Sequence, residues 1–161
     1  MRWPEPVASA PTLDLDLAEE SATEALGAAL ARSATPLKLY LSGDVGAGKT
    51  TLARALLRAL GVAGRIKSPT YALIEPYEIC GLPAWHLDLY RLNDASELYD
   101  LGFRDLLAGP AWLIVEWPER ALEALPEPDL WVSLSAHGEG RRAHISGAAL
   151  ALLTHWLNKT S

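Results

Sequence analysis

The apolar positions of this chain change period several times, and each change marks an element. Leu13, Leu15 and Leu17 alternate with Asp14 and Asp16, the period of a strand with one buried face. Ala18, Ala22, Ala25, Leu26, Ala29 and Leu30 then follow helical spacing, and Asp16 with Glu19 is placed to form a capping box at its start. Pro36 leads into a second strand, where Leu37, Leu39 and Leu41 alternate with Lys38 and Tyr40. Leu52, Ala55, Leu56, Ala59 and Leu60 fall at i, i+3, i+4, i+7 and i+8, one apolar face of a second helix, with Gly61 as its stop.

The second half reads as strands and short helices. Tyr71, Leu73 and Tyr77 predict a strand, Gly81 and Pro83 a turn, and Ala84 to Tyr90 the returning strand of an antiparallel hairpin. Asp94 or Ser96 caps a short helix through Tyr99; Gly102 interrupts, and Phe103 to Leu107 continues helically. Ala111 to Val115 has no polar face, the mark of a central strand buried on both sides. Pro118 breaks it and opens a short helix. Leu130, Val132 and Leu134 alternate as a strand, residues 137–140 turn, and Ala143 to Ser146 pairs back. Ser146 or Gly147 starts a final helix that buries Ala149, Leu152, Leu153, Trp156 and Leu157. The sum is an α/β fold with a mixed, mostly parallel central sheet and at least one antiparallel hairpin.

Composition narrows the class. With 161 residues, 50% apolar and 21% charged, the chain reads as one globular domain over residues 1–161, with residues 1–11 as a loose arm. Against 20 acidic residues stand 14 basic ones, a net charge of −6, and Arg141-Arg142 is the one adjacent basic pair. That balance speaks against tight nucleic-acid binding by the chain alone. The single cysteine, Cys80, rules out an internal disulfide and fits a cytoplasmic protein. No apolar run approaches a membrane span, and the first residues do not read as a secretory signal.

One stretch carries specific chemistry. Gly43-Asp44-Val45-Gly46-Ala47-Gly48-Lys49-Thr50 is G-x-x-x-x-G-K-[ST], a phosphate-binding loop, and it lies between the second strand and the second helix as that chemistry requires. Glycines let the backbone wrap so that N–H groups point at phosphate oxygens. Asp44 to Thr51 are therefore the expected nucleotide contacts, with Lys49 a charge for the β and γ phosphates and Thr50 a hydroxyl oxygen for Mg²⁺. The helix that follows adds its positive end.

A second oxygen ligand for Mg²⁺ is expected at the carboxyl end of a central strand. Glu116 and Asp88 both qualify; Glu116 is assigned to the metal, directly or through water, and Asp88 to orienting or deprotonating the attacking water or to supporting the metal. Either acid is alternatively a structural carboxylate bonded to nearby backbone. Ser68 and Thr70 follow the helix where a switch segment would reach the ion or the γ phosphate, or else form a Ser-Pro turn leading into a strand. His86 reads as a packing or hydrogen-bonding residue ahead of a proton carrier, and Trp117 as core or as a lid. Arg91, Arg104 and Arg120 are surface residues, or else groups that neutralise transition-state charge.

Taken together, the phosphate loop with Thr51-Leu52, Ser68-Pro69-Thr70-Tyr71, His86-Leu87-Asp88-Leu89-Tyr90-Arg91-Leu92, Glu97-Leu98, Leu101-Gly102 and Glu116-Trp117 resemble the TsaE (YjeE) family of small bacterial ATPases. The loop alone says only triphosphatase; the two middle blocks are far more specific. The resemblance spans roughly residues 13 to 135, with Val45 where the family usually has leucine. It implies a P-loop NTPase-like three-layer fold and an ATP- and Mg²⁺-dependent ATPase that serves threonylcarbamoyladenosine modification of tRNA. It also implies a complex with TsaB and TsaD, Mg²⁺ contacts from Thr50 and Glu116, and essential roles for Asp88 and Trp117. A small-molecule kinase is the alternative, though no lid insertion is evident. A GTPase is disfavoured, because Asn158-Lys159 lacks the aspartate of a guanine-reading segment.

Overall fold

A computed structural model describes residues 11–69 and 72–159, with side chains through residue 154. Among these residues seven strands form one sheet: β1 (Thr12–Leu17), β2 (Lys38–Ser42), β3 (Ile74–Ile79), β4 (Leu82–Asp88), β5 (Trp112–Glu116), β6 (Leu130–His137) and β7 (Gly140–Ser146), in the order β1-β7-β6-β2-β5-β4-β3. The four inner strands β6, β2, β5 and β4 run parallel. Antiparallel pairs close both sides: the β3–β4 hairpin on one, the β6–β7 hairpin and β1 on the other. The helices are α1 (Glu20–Leu30), α2 (Lys49–Ala59), α3 (Ser96–Asp100), α4 (Phe103–Leu106) and α5 (Leu150–Lys159), with 3₁₀ turns at Pro118–Arg120 and Leu122–Ala124.

The apolar alternation divides the sheet into two cores. Leu39, Leu41, Ile114 and Val132 face α1, α2 and α5, where Leu26, Leu52, Leu56 and Leu153 meet them. Tyr40, Leu113, Val115 and Leu87 face the other way, against Leu98, Phe103 and Ala121. All five residues of β5 are buried, as expected of a parallel strand covered on both faces. Each such leucine or valine contributes about 1.5–3 kcal/mol by leaving water. The result is a three-layer arrangement with the carboxyl ends of the inner strands at one rim.

Several expectations are corrected. Asp16 does not cap α1; it stays in β1, where its carboxylate takes Arg142 Nε at 3.0 Å, and the N-cap Glu19 makes no side-chain capping bond. Ala18 precedes α1 and is exposed, as is Ala25 within it, and the buried face runs through Thr23, Leu26, Gly27, Ala29 and Leu30. Gly27 sits at the α1–α2 crossing, where a Cβ would lie 2.7 Å from Ala55 Cβ and 2.9 Å from Leu56 N. On α2, Leu52, Ala53, Leu56 and Leu57 are buried while Ala59 is exposed.

The third strand starts at Ile74, and Tyr71 lies outside the described residues. Cys80 and Gly81 make the hairpin turn, while Pro83 belongs to β4 opposite Glu78. It is tolerated because β4 joins β5 only from Ala84 onward, so its missing N–H forfeits no bond to that neighbour. β4 ends at Asp88, leaving Leu89 and Tyr90 in the turn that follows. The last helix begins at Leu150 and buries Leu150 and Leu153, whereas Leu152 is 54% exposed. The side chains of Trp156 and Leu157, also expected on its buried face, lie outside the described residues.

Candidate functional site

At the carboxyl rim, β2 ends at Ser42 and the chain wraps from Gly43 to Gly48 before α2 opens at Lys49. Glycine is required at Gly43, whose φ is 139° and where a Cβ would lie 2.3 Å from Leu134 O. It is favoured at Gly48, the N-cap of α2, whose φ is 105°. The wrapped loop therefore ends on the unpaired N–H groups of a helix N-terminus.

Lys49 is almost fully buried. Its Nζ donates to the carbonyls of Gly43 at 2.6 Å and Asp44 at 2.8 Å, and lies 4.5 Å from the centre of a Trp117 ring. Burial pushes the ammonium below the ordinary lysine value, and the carboxylates of Glu116, Asp88, Glu119 and Asp44 oppose that push. The cation is held by carbonyl dipoles and a π face, an arrangement that a polyphosphate can improve on.

Glu116 closes β5 and is 2% exposed. Its Oε1 accepts the Thr50 hydroxyl at 2.7 Å, and its Oε2 lies 2.7 Å from Nε2 of the fully buried His86. Asp88 closes β4 directly opposite Glu116 in the parallel register, and its Oδ1 accepts the Tyr90 N–H at 3.0 Å. The strand ends thus present two acids, side by side, to the start of α2. Loop and strand ends together enclose a cleft of about 370 Å³, completed by Tyr90, Arg91 and Trp117.

Trp117 follows Glu116 in a left-handed conformation with φ 59° and ψ 48°, uncommon for a bulky residue and costing about 1–3 kcal/mol. Its N–H donates to Leu41 O at 3.1 Å, and its ring packs on Tyr90 with 4.9 Å between ring centres. The strained turn sends the indole back over Lys49 in place of continuing the strand.

A second cavity of about 270 Å³ flanks the loop between the start of α1 and the β6–β7 hairpin. Here Arg141 donates from Nε to Ala47 O at 3.1 Å and from Nη2 to Gly46 O at 3.0 Å, while Nη1 holds Gly140 O at 3.1 Å. One guanidinium ties β7 to two loop carbonyls.

The family model for "Threonylcarbamoyl adenosine biosynthesis protein TsaE" matches residues 17–144. The chain belongs to the TsaE family. The tRNA threonylcarbamoyladenosine biosynthesis protein TsaE of Haemophilus influenzae is 42% identical over 109 residues, 68% of this chain and 69% of that one. The Rickettsia felis TsaE is 36% identical over 130 residues, 80% of this chain and 75% of that one. The crystal structure of YdiB from Bacillus subtilis superposes with a TM-score of 0.76 at 27% identity, over 96% of this chain and 99% of that one.

In this TsaE-family chain the cleft gathers Val45, Gly46, Gly48, Lys49, Thr50, Thr51, Asp88, Glu116 and Trp117 from the sequence-derived set. Asp44 and Ala47 belong to the same loop; Asp44 supplies a carbonyl to Lys49, and Ala47 supplies one to Arg141. Val45 stands 75% exposed at the loop's tip. Ser68 is exposed and lines neither cavity, and Thr70 lies outside the described residues. Arg91 lines the cleft, Arg120 sits over the Tyr90 ring, and Arg104 lies away from it over Tyr99. His86 has the hydrogen-bonding place expected of it. Arg141 is the residue that sequence reading missed as a site group; its sole signal was the adjacent basic pair, because its loop partners lie 94 and 95 residues earlier.

Proposed function

We propose that this chain binds ATP with Mg²⁺ in the loop and hydrolyses it, as an accessory subunit of tRNA threonylcarbamoyladenosine synthesis acting in complex with TsaB and TsaD. The observation that carries this reading is the meeting of Thr50 and Glu116 at 2.7 Å beside a buried Lys49. A hydroxyl and a carboxylate converging next to an anion cradle are the oxygen donors Mg²⁺ accepts beside phosphate. Mg²⁺ held by one or two protein oxygens completes its shell with phosphate oxygens and water. The donor set therefore fits Mg²⁺ delivered with a nucleotide.

When bound, Mg²⁺ would neutralise charge on the β and γ phosphates. Lys49 exchanges its loop carbonyls for those phosphates, and the loop N–H groups orient them. Asp88, fixed by the Tyr90 N–H, is the group that aligns the attacking water and takes its proton. The water oxygen bonds to the γ phosphorus as the bond to the β,γ-bridging oxygen breaks, giving ADP and phosphate. Trp117 and Tyr90 wall the cleft against bulk water.

The net charge of −6 supports contact with tRNA through partners, with no strong nucleic-acid binding by this chain alone. A cytoplasmic location agrees with the lone Cys80, and among the described residues no helix is long and apolar enough to cross a membrane. The test is phosphate release from ATP with Mg²⁺, by the chain alone and with TsaB, TsaD and tRNA. The expected result is slow release that changes on complex formation. Phosphoryl transfer to an added small molecule, without release, contradicts it and favours the kinase alternative.

A further inference from the structure

We propose that His86 is a positioning residue for the ion: from inside the core it locks the Glu116 carboxylate so that one oxygen faces the cleft. The inference rests on the reading of Glu116 as the Mg²⁺-side acid. It concerns a residue that never touches nucleotide.

The spacing His86-x-Asp88 explains the arrangement. On a strand, residues i and i+2 share a face. β4 lies parallel to β5 with His86 opposite Ile114 and Asp88 opposite Glu116, so both β4 side chains flank the same carboxylate, one from within the core and one from the cleft rim. His86 is 0% exposed and Glu116 is 2% exposed. A carboxylate that deep needs partners for both oxygens. Oε2 has His86 Nε2 at 2.7 Å and Oε1 has the Thr50 hydroxyl at 2.7 Å, so the inner contact fixes the rotation of the group and the outer oxygen alone is left for exchange.

The other ring nitrogen supports this assignment. Nδ1 of His86 is buried and makes no hydrogen bond among the described residues. A proton there would be a buried donor with no acceptor, which is dearer than an unused lone pair. The proton of this contact is therefore placed on Nε2, which donates to Oε2. Groups that hold a metal-binding carboxylate from behind typically alter metal affinity about 10–100-fold when removed.

The experiment titrates ADP against the full chain, with Mg²⁺ and in EDTA, alongside thermal unfolding without nucleotide. The variants are His86→Leu, which removes the donor, and His86→Gln, whose amide can reach the same oxygen. The expected result is that His86→Leu binds ADP in EDTA within about 2-fold of the parent but needs about 10–100-fold more Mg²⁺ for the ion's effect. His86→Gln recovers most of that effect. Should His86→Leu not fold, His86→Asn, polar but too short to reach Oε2, takes its place against His86→Gln. Unchanged Mg²⁺ dependence in a folded donor-less variant overturns the proposal, as does an equal loss of binding in EDTA, which marks a purely structural role. If the parent chain shows no Mg²⁺ effect at all, it is the ion reading of Glu116 that falls, and the positioning role falls with it.

Discussion

Thr50 and Glu116 stand 66 residues apart in the chain, and their side chains meet at 2.7 Å. The bond joins the first turn of α2 to the end of β5, so the helix that follows the phosphate loop is keyed to the strand that supplies the acid. Replacing Thr50 by valine keeps the shape and removes the donor. A hydrogen bond to a buried carboxylate contributes about 1.5–3 kcal/mol. Thr50→Val should therefore lower apo stability by roughly that amount in urea unfolding, and cut ATP turnover at least about 10²-fold. Thr50→Ser should recover most of both.

Arg141 should matter to nucleotide affinity although it was legible only as a basic residue. Its guanidinium donates to the Gly46 and Ala47 carbonyls and so ties two peptide units of the loop to β7. Arg141→Ala releases two charge-assisted bonds, and we expect ADP to bind about 10-fold more weakly by calorimetry. Arg141→Lys, a point donor that cannot span both carbonyls, should recover little of the loss.

Trp117 offers a test of strain. At φ 59° a side chain costs about 1–2 kcal/mol that glycine does not. Trp117→Gly and Trp117→Ala both lose the ring, so the glycine variant should be the more stable of the two by about that amount in denaturant unfolding. Equal stability would show that the turn relaxes once the indole is gone.

The lowered Lys49 value predicts a pH dependence. The unfolded lysine keeps its proton up to about 10.5, whereas the folded one gives it up earlier. In that window the unfolded state binds more protons, so stability rises with pH. Below the folded value both states hold the proton, so this pH dependence is absent. The stability of the parent chain relative to Lys49→Met should accordingly increase as pH climbs toward 10.5, read from unfolding curves of both at matched pH.

What could be seen in the sequence follows from how local each signal is. The Gly43–Thr50 motif is eight consecutive residues, and β5 is a continuous apolar run buried on both faces. The capping box failed because Asp16 has a cross-sheet claimant, Arg142, 126 residues away. The α2 stripe held at Leu52, Ala55, Leu56 and Leu60 and failed at Ala59; Ala53 and Leu57, buried as well, widen the face beyond the spacing read from the sequence. Arg141 escaped for the same reason as Asp16: its meaning is created by pairing β7 beside β1 and the loop. The burial of Glu116's strand was legible in its apolar run, but the His86 contact on its carboxylate came only with the β4–β5 register.

The central claim is that the loop holds a nucleotide polyphosphate through Lys49. An equilibrium titration of Mg²⁺·ATP onto the parent chain and onto Lys49→Ala tests it most directly. One equivalent bound by the parent, with affinity at least about 10-fold weaker in Lys49→Ala, is the predicted result. Equal affinity in the two proteins, or no binding by a folded parent chain, contradicts it.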